Sequence, residues 1–299
     1  SASADPALGH LFADLCHSLA NQHSCLDLAQ RPDGKSLVPL LRTLAIVGNG
    51  DTETPLVLDG NLLFMHRYHR YEVRIAADLI ARNQVIADPG SAYIEAILNQ
   101  QDSLTGAQRE ATRLALTSRL SIIVGGPGTG KTFTAVSILR AILAQGGDHP
   151  PVIRVAAPTG KAAMRLAEAI GQTGIPDVVT VQTLHRLLGV RANGRDYRHG
   201  PGNPLPVDVV LVDEVSMVDL PMMHRLLMAL PAEARLILLG DPDQLPSVET
   251  GNMLTDICRP EPDRHLLAEA IRRLETNYRF DAAKGIGRLS REVRSGAIT

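Results

Sequence analysis

Residues 121–134 read Ser-Ile-Ile-Val-Gly-Gly-Pro-Gly-Thr-Gly-Lys-Thr-Phe-Thr. Gly125, Gly130, Lys131 and Thr132 fit G-x-x-x-x-G-K-[ST], a loop whose glycines let backbone N–H groups curl round an anion. Lys131 is placed to reach the β and γ phosphates of a nucleoside triphosphate, and the Thr132 hydroxyl to hold Mg²⁺. Gly126, Pro127, Gly128, Thr129 and Phe133 complete the expected nucleotide contacts. The flanks agree with the motif. Residues 120–124 are a short apolar β run, and after the loop Val136, Leu139 and Leu143 recur at helical spacing. A helix N-terminus adds partial positive charge at the phosphates.

A second set of groups suits the same chemistry. Residues 209–212 are an apolar strand that runs into Asp213 and Glu214. Asp213 is expected to hold Mg²⁺, directly or through water, and Glu214 to orient or activate the attacking water. Another core strand, residues 236–239, precedes Gln244, whose amide can contact the γ phosphate or its water. Gln108 follows the helix-start residue Thr105, and its amide matches the donor–acceptor edge of adenine. Arg279, near the C-terminus, is a candidate for stabilising charge on the transferred phosphoryl group.

Two further clusters are not absorbed by the nucleotide. Thr159, Lys161 and Arg165 open a helix after a β run at 152–156; they are either a second anion site or a capped helix with solvated cations. Thr183, His185 and Arg186 set hydroxyl, imidazole and guanidinium within four residues, ahead of a Gly/Pro-rich loop.

The elements that must position these groups divide in two. Residues 1–100 are expected to form a small, mostly α domain with a β-hairpin. Leu8, Leu11, Phe12, Leu15 and Leu19 share one helix face, residues 37–47 read as a second helix, and Asp59-Gly60 turns a hairpin. Tyr68, Tyr71, Ile75 and Leu79 line another helix. Its opening stretch, His66-Arg-Tyr-His-Arg-Tyr71, either touches nucleic acid or is a solvated face with its tyrosines turned inward. Residues 101–299 are expected to be an α/β domain, a parallel sheet with helices on both faces.

Net charge is −2, so no global basic field advertises a nucleic-acid partner, although a local groove suffices. Three cysteines make neither a disulfide framework nor metal spacing and suit a reducing cytosol. No apolar run approaches the ~18 residues of a membrane span. There is no Asn-Lys-x-Asp element of a GTPase, and a small-molecule kinase has no need of the Thr159 and Thr183 clusters.

Taken together, the chain resembles the RecD family of superfamily 1 helicases, the alpha subunit of bacterial exonuclease V (the RecBCD complex). The resemblance is carried by residues 125–132, by Ala157-Pro-Thr-Gly-Lys-Ala-Ala, Thr183-Leu-His-Arg-Leu-Leu-Gly and Val212-Asp-Glu-Val-Ser-Met-Val-Asp-Leu-Pro-Met-Met, and by Leu239-Gly-Asp-Pro-Asp-Gln-Leu-Pro-Ser-Val-Glu and Tyr278-Arg-Phe. It is weaker before residue 100. It implies a RecA-like fold, ATP with Mg²⁺ as cofactor, and 5′→3′ translocation on single-stranded DNA in double-strand break repair. It also assigns Gln108 to adenine, Arg279 to the γ phosphate, and Thr159, Lys161, Arg165, Thr183, His185 and Arg186 to single-stranded DNA. Partners would be the beta and gamma subunits, with the N-terminal domain on the gamma subunit, in the bacterial cytoplasm. A stand-alone RecD-like helicase is the alternative, and an assembly module with a vestigial motor is a third reading. Motifs of a second RecA-like domain do not occur before Thr299, so the 299-residue chain alone is expected to bind nucleotide weakly and not to unwind DNA.

Overall fold

The structure is a computed structural model that describes residues 6–86, 90–101, 103–176, 179–191, 194, 196–244, 251–259 and 266–276. The chain forms two compact units. One comprises Ser1–Asp78, Met217–Leu227 and Leu245–Met253; the other comprises Leu79–Ser216, Met228–Gln244 and Leu254–Thr299. This division does not coincide with the sequence boundary at residue 100. The reason is packing: the helix at Ser91–Asn99 lies against two helices that flank the P-loop strand.

The first unit contains α1 (Pro6–Ala20), β1 (Cys25–Asp27), α2 (Gly34–Leu41), β2 (Val47–Gly48), β3 (Leu56–Asp59), β4 (Leu62–Met65) and most of α3 (His66–Arg82). Among the described residues its sheet is four-stranded, in the order β1-β4-β3-β2. The hairpin expected at Asp59-Gly60 is the centre of that sheet: Asp59 pairs with Leu62, and Gly60 takes φ +57° in the turn. The helix expected over 37–47 stops at Leu41, and Val47 instead pairs with Leu56. Leu11 and Leu15 of α1 pack with Leu28, Leu37, Leu41, Leu56, Leu58 and Leu63 as an all-aliphatic core.

The second unit is a three-layer α/β domain. Its elements are α4 (Ser91–Asn99), α5 (Gly106–Thr117), β5 (Leu120–Gly125), α6 (Lys131–Gly146), β6 (Ile153–Ala157), α7 (Gly160–Gly171), β7 (Thr180–Thr183), α8 (Leu184–Leu188), β8 (Val209–Val212), the end of α9 (Leu220–Ala229), β9 (Arg235–Gly240), α10 (Met253–Cys258) and β10 (Ile271–Leu274). The described strands form a six-stranded sheet in the order β10-β5-β9-β8-β6-β7, parallel at every pair. Strands covered on both faces should read as near-continuous apolar runs. Ile122, Ile123, Val209, Val210, Leu211, Val212 and Leu236 to Leu239 do so, and all are buried. This is the RecA-like fold. Among the described residues no helix is long and apolar enough to cross a membrane.

Candidate active site

Parallel sheets bind ligands outside the carboxyl ends of their strands. The registers Val124↔Gly240, Val212↔Leu238, Ala156↔Val212 and Ala157↔Thr183 bring the tips of β5, β9, β8, β6 and β7 to that one edge. Adjacent strands are about 4.8 Å apart, so the β5 and β8 tips are separated by about 10 Å.

At the β5 tip the chain turns through Gly128 (φ +82°) and Gly130 (φ +84°) into α6. Gly125 is required by close approach: a Cβ there would meet Thr129 Oγ1 at 2.5 Å and the Leu274 carbonyl oxygen of β10 at 2.9 Å. Thr129 is buried, and its hydroxyl donates to the Gly126 carbonyl at 2.9 Å, bracing the loop from inside. Lys131 Nζ donates to the carbonyls of Gly125 (2.5 Å) and Gly126 (3.2 Å), so its ammonium is held against the loop it is expected to serve. Thr132 and Phe133 are exposed in the first turn of α6, while Pro127 lies exposed in the loop.

At the β8 tip, Asp213 is 8% exposed. Burial pushes its carboxyl up to about 6; the bond from Glu214 N (2.9 Å to Oδ1) pulls the other way, Glu214 raises it further, and the charge of Lys131 lowers it. A carboxylate raised by burial and facing a P-loop lysine fits a divalent cation, which would stabilise its ionised form. Asp213 and Thr132 are the residues that would hold Mg²⁺. Glu214, half-buried, takes φ +55°, a left-handed conformation unusual outside glycine. It sends the chain from β8 into the 3-10 turn Val215–Met217.

That turn carries a residue the sequence reading did not single out. Ser216 is buried, and its hydroxyl donates to Gln244 Oε1 at 3.0 Å. It joins the β8 tip to the loop after β9. Gly240 makes the approach possible, since a Cβ there would meet Leu254 Cδ2 at 2.5 Å and Ser216 N at 3.2 Å. Thr255 braces the same loop by donating to the Pro242 carbonyl at 2.8 Å.

Gln108 is 4% exposed on α5, which packs on α6. Its Oε1 accepts from Thr105 N at 3.2 Å, so one lone pair of the amide serves the helix cap while the amide N–H₂ is the donor available to a base. Arg279 lies outside the described residues.

Thr159 and Thr183 are both helix caps: Thr159 Oγ1 accepts from Ala162 N at 3.2 Å and Thr183 Oγ1 from Arg186 N at 3.3 Å. Lys161 and Arg165 on α7, with His185 and Arg186 on α8, are exposed. The His185 ring lies 6.3 Å from that of Tyr197. The capped-helix alternative stated for Thr159 is therefore present, and both helices carry exposed basic side chains.

Residues 108–250 match a family described as an AAA domain. Over 96% of its length the chain is 39% identical to the "RecBCD enzyme subunit RecD" of Mycolicibacterium smegmatis, covering 52% of that protein. The RecD subunit of Haemophilus influenzae is 35% identical over 81% of the chain and 44% of its own length. The "ATP-dependent RecD2 DNA helicase" of Deinococcus radiodurans is 39% identical over 56% of the chain and 22% of its own length. The chain thus spans about half the length of the RecD relatives it matches. With a P-loop, an Asp-Glu strand tip and a glutamine-bearing strand tip on one RecA-like sheet, the chain is RecD-like over the residues matched.

Proposed function

We propose that the chain supplies one motor half of an ATP-driven 5′→3′ translocase on single-stranded DNA, working in the bacterial cytoplasm. The observation that carries this reading is the sheet order. Strands β5, β9 and β8 present Lys131, Gln244 and the Asp213-Glu214 pair at one edge, and β6 and β7 continue that edge with Thr159 and Thr183. Nucleotide groups and exposed cations are then neighbours on one rigid support, the arrangement needed if a change at the γ phosphate is to move a strand.

In this reading the P-loop N–H groups and Lys131 bind the phosphates, and Gln108 donates to the base. Glu214 takes a proton from, or orients, the attacking water. Gln244, held by Ser216, touches the γ phosphate. Asp213 and Thr132 would hold Mg²⁺, which when bound would neutralise developing charge on the phosphoryl oxygens. Arg279 belongs to the same reading as a γ-phosphate contact.

Within the family we place the chain with the exonuclease V subunits, its N-terminal residues 1–100 docking the gamma subunit. The match over 96% of the chain to a RecD subunit, against 56% for the RecD2 helicase, supports that choice over a stand-alone helicase. The test is DNA-stimulated ATP turnover by the longer protein carrying these residues. It should disappear in Lys131→Ala; unchanged turnover would refute the motor reading. Capture of the gamma subunit by the whole protein but not by one lacking residues 1–100 tests the docking role.

A further inference from the structure

The first unit carries a basic and aromatic cluster that the motor site does not use. Arg67, Arg70 and Arg74 recur at i, i+3 and i+7 on α3, and all three are exposed. Arg67 lies over the Tyr68 ring at 4.7 Å. Tyr68 meets Tyr71 edge-on at 6.2 Å, and Tyr71 lies 4.6 Å from His224 of α9 with the rings tilted by 42°. The rings form one half-exposed ladder with cations along it.

We propose that this ladder is a second contact for single-stranded nucleic acid, its arginines on the phosphates and its rings offering faces to unstacked bases. This rests on the strand-binding reading given above. Three features favour a single strand. A phosphate backbone needs repeated cations at helical-turn spacing, which α3 supplies, and every base has a face that an aromatic ring can stack on. The third is electrostatic. His224 is held below the ordinary imidazole value by burial and by the charges of Arg70, Arg74 and Arg225. Phosphates bound along Arg70 and Arg74 would add negative charge beside it. His224 should then take up a proton as the strand binds, and affinity should rise as pH falls through the bound-state value, levelling off below the free-state value. The groups that set this balance are Tyr71, Arg70 and Arg74 on α3 and Arg225 on α9.

The experiment is binding of a fluorescent oligothymidylate to the 299-residue chain as a function of salt. The forms compared are the unaltered chain, Arg70→Ala/Arg74→Ala, and Lys161→Ala/Arg165→Ala. For single strands, log K against log salt has a slope of about −0.7 per phosphate neutralised. Removing Arg70 and Arg74 should make it shallower by about 1.4, on top of any change from the Lys161 pair, and NMR titration should show His224 moving up on binding. If only the Lys161 pair changes the slope, the inference fails while the motor reading stands, and the cluster faces an acidic protein instead. If neither pair changes it, both fail. Equal loss of affinity for a duplex of the same length would overturn the single-strand assignment. Arg70 and Arg74 are exposed, so unchanged thermal unfolding of that variant checks that the fold is intact.

Discussion

Ser216 gives its hydroxyl proton to the amide oxygen of Gln244 at 3.0 Å, across 28 residues of sequence. The bond fixes which end of the Gln244 amide is free: its N–H₂ remains to donate. A γ-phosphate sensor must be a donor, because phosphate oxygens only accept. Ser216→Ala frees the amide to rotate and removes about 0.5–1.5 kcal/mol of orientation. The preference for ATP over ADP should fall about two- to tenfold, read by competitive displacement of a fluorescent nucleotide. An unchanged ATP/ADP ratio would detach Gln244 from the γ phosphate.

Asp213 sets a pH dependence whose sign can be worked out. Its carboxyl stands at about 6 in the folded, metal-free protein against 3.8 in the unfolded chain. Between those values the folded state holds the proton more tightly, so stability is lost as pH rises from about 4 to about 6 and stays lost above. At pH 7 the ionised, buried carboxylate costs on the order of 3 kcal/mol. Asp213→Asn should therefore raise the melting temperature at pH 8 in EDTA and change it little at pH 4. The same variant should lose Mg²⁺-dependent nucleotide binding. A melting temperature raised equally at both pH values would assign the gain to packing instead of charge.

Lys131 makes two bonds to loop carbonyls, and phosphate must compete with both. Charge-assisted hydrogen bonds are worth about 1.5–3 kcal/mol, so Lys131→Ala should weaken ATP by about 10- to 100-fold. The variant also takes a donor from the Gly125 and Gly126 carbonyls, so unfolding should shift by no more than about 1–3 kcal/mol. Calorimetric titration and a thermal scan on the same sample separate the two effects, and a large loss of stability with normal ATP affinity would reverse the assignment.

The central strands were legible for a physical reason. β5, β8 and β9 are covered on both faces, which forces unbroken apolar runs, and their tips carry glycines and carboxylates at motif spacing. The edge strands were not. β7 (Thr-Val-Gln-Thr) and β10 (Ile-Arg-Arg-Leu) are partly exposed and mix polar with apolar residues, so neither period shows. β1 and β2 are three and two residues long, too short for any pattern. At the site, Lys131, Asp213 and Gln244 announced themselves by motif. Ser216 did not, because its partner lies far along the chain, and nothing in the side chain of Glu214 foretells its left-handed backbone.

Arg82 is the clearest case of a stabilising residue with no local signature. It ends α3, is 4% exposed, and donates to the carbonyls of Leu230 (3.3 Å), Pro231 (2.9 Å), Ala232 (3.4 Å) and Ala234 (3.0 Å). These carbonyls lie in the turn between α9 and β9, 148 to 152 residues away. A guanidinium suits the task because its donors fan out in one plane, whereas an ammonium is a single point. Arg82→Met keeps the volume and leaves the carbonyls without a donor, at a cost of about 3 kcal/mol. Hydrogen exchange should quicken first in the turn and along β9, and Arg82→Lys should recover part of the loss. If Arg82→Met unfolds within about 0.5 kcal/mol of the unaltered chain, water replaces the guanidinium and the clamp is only geometric.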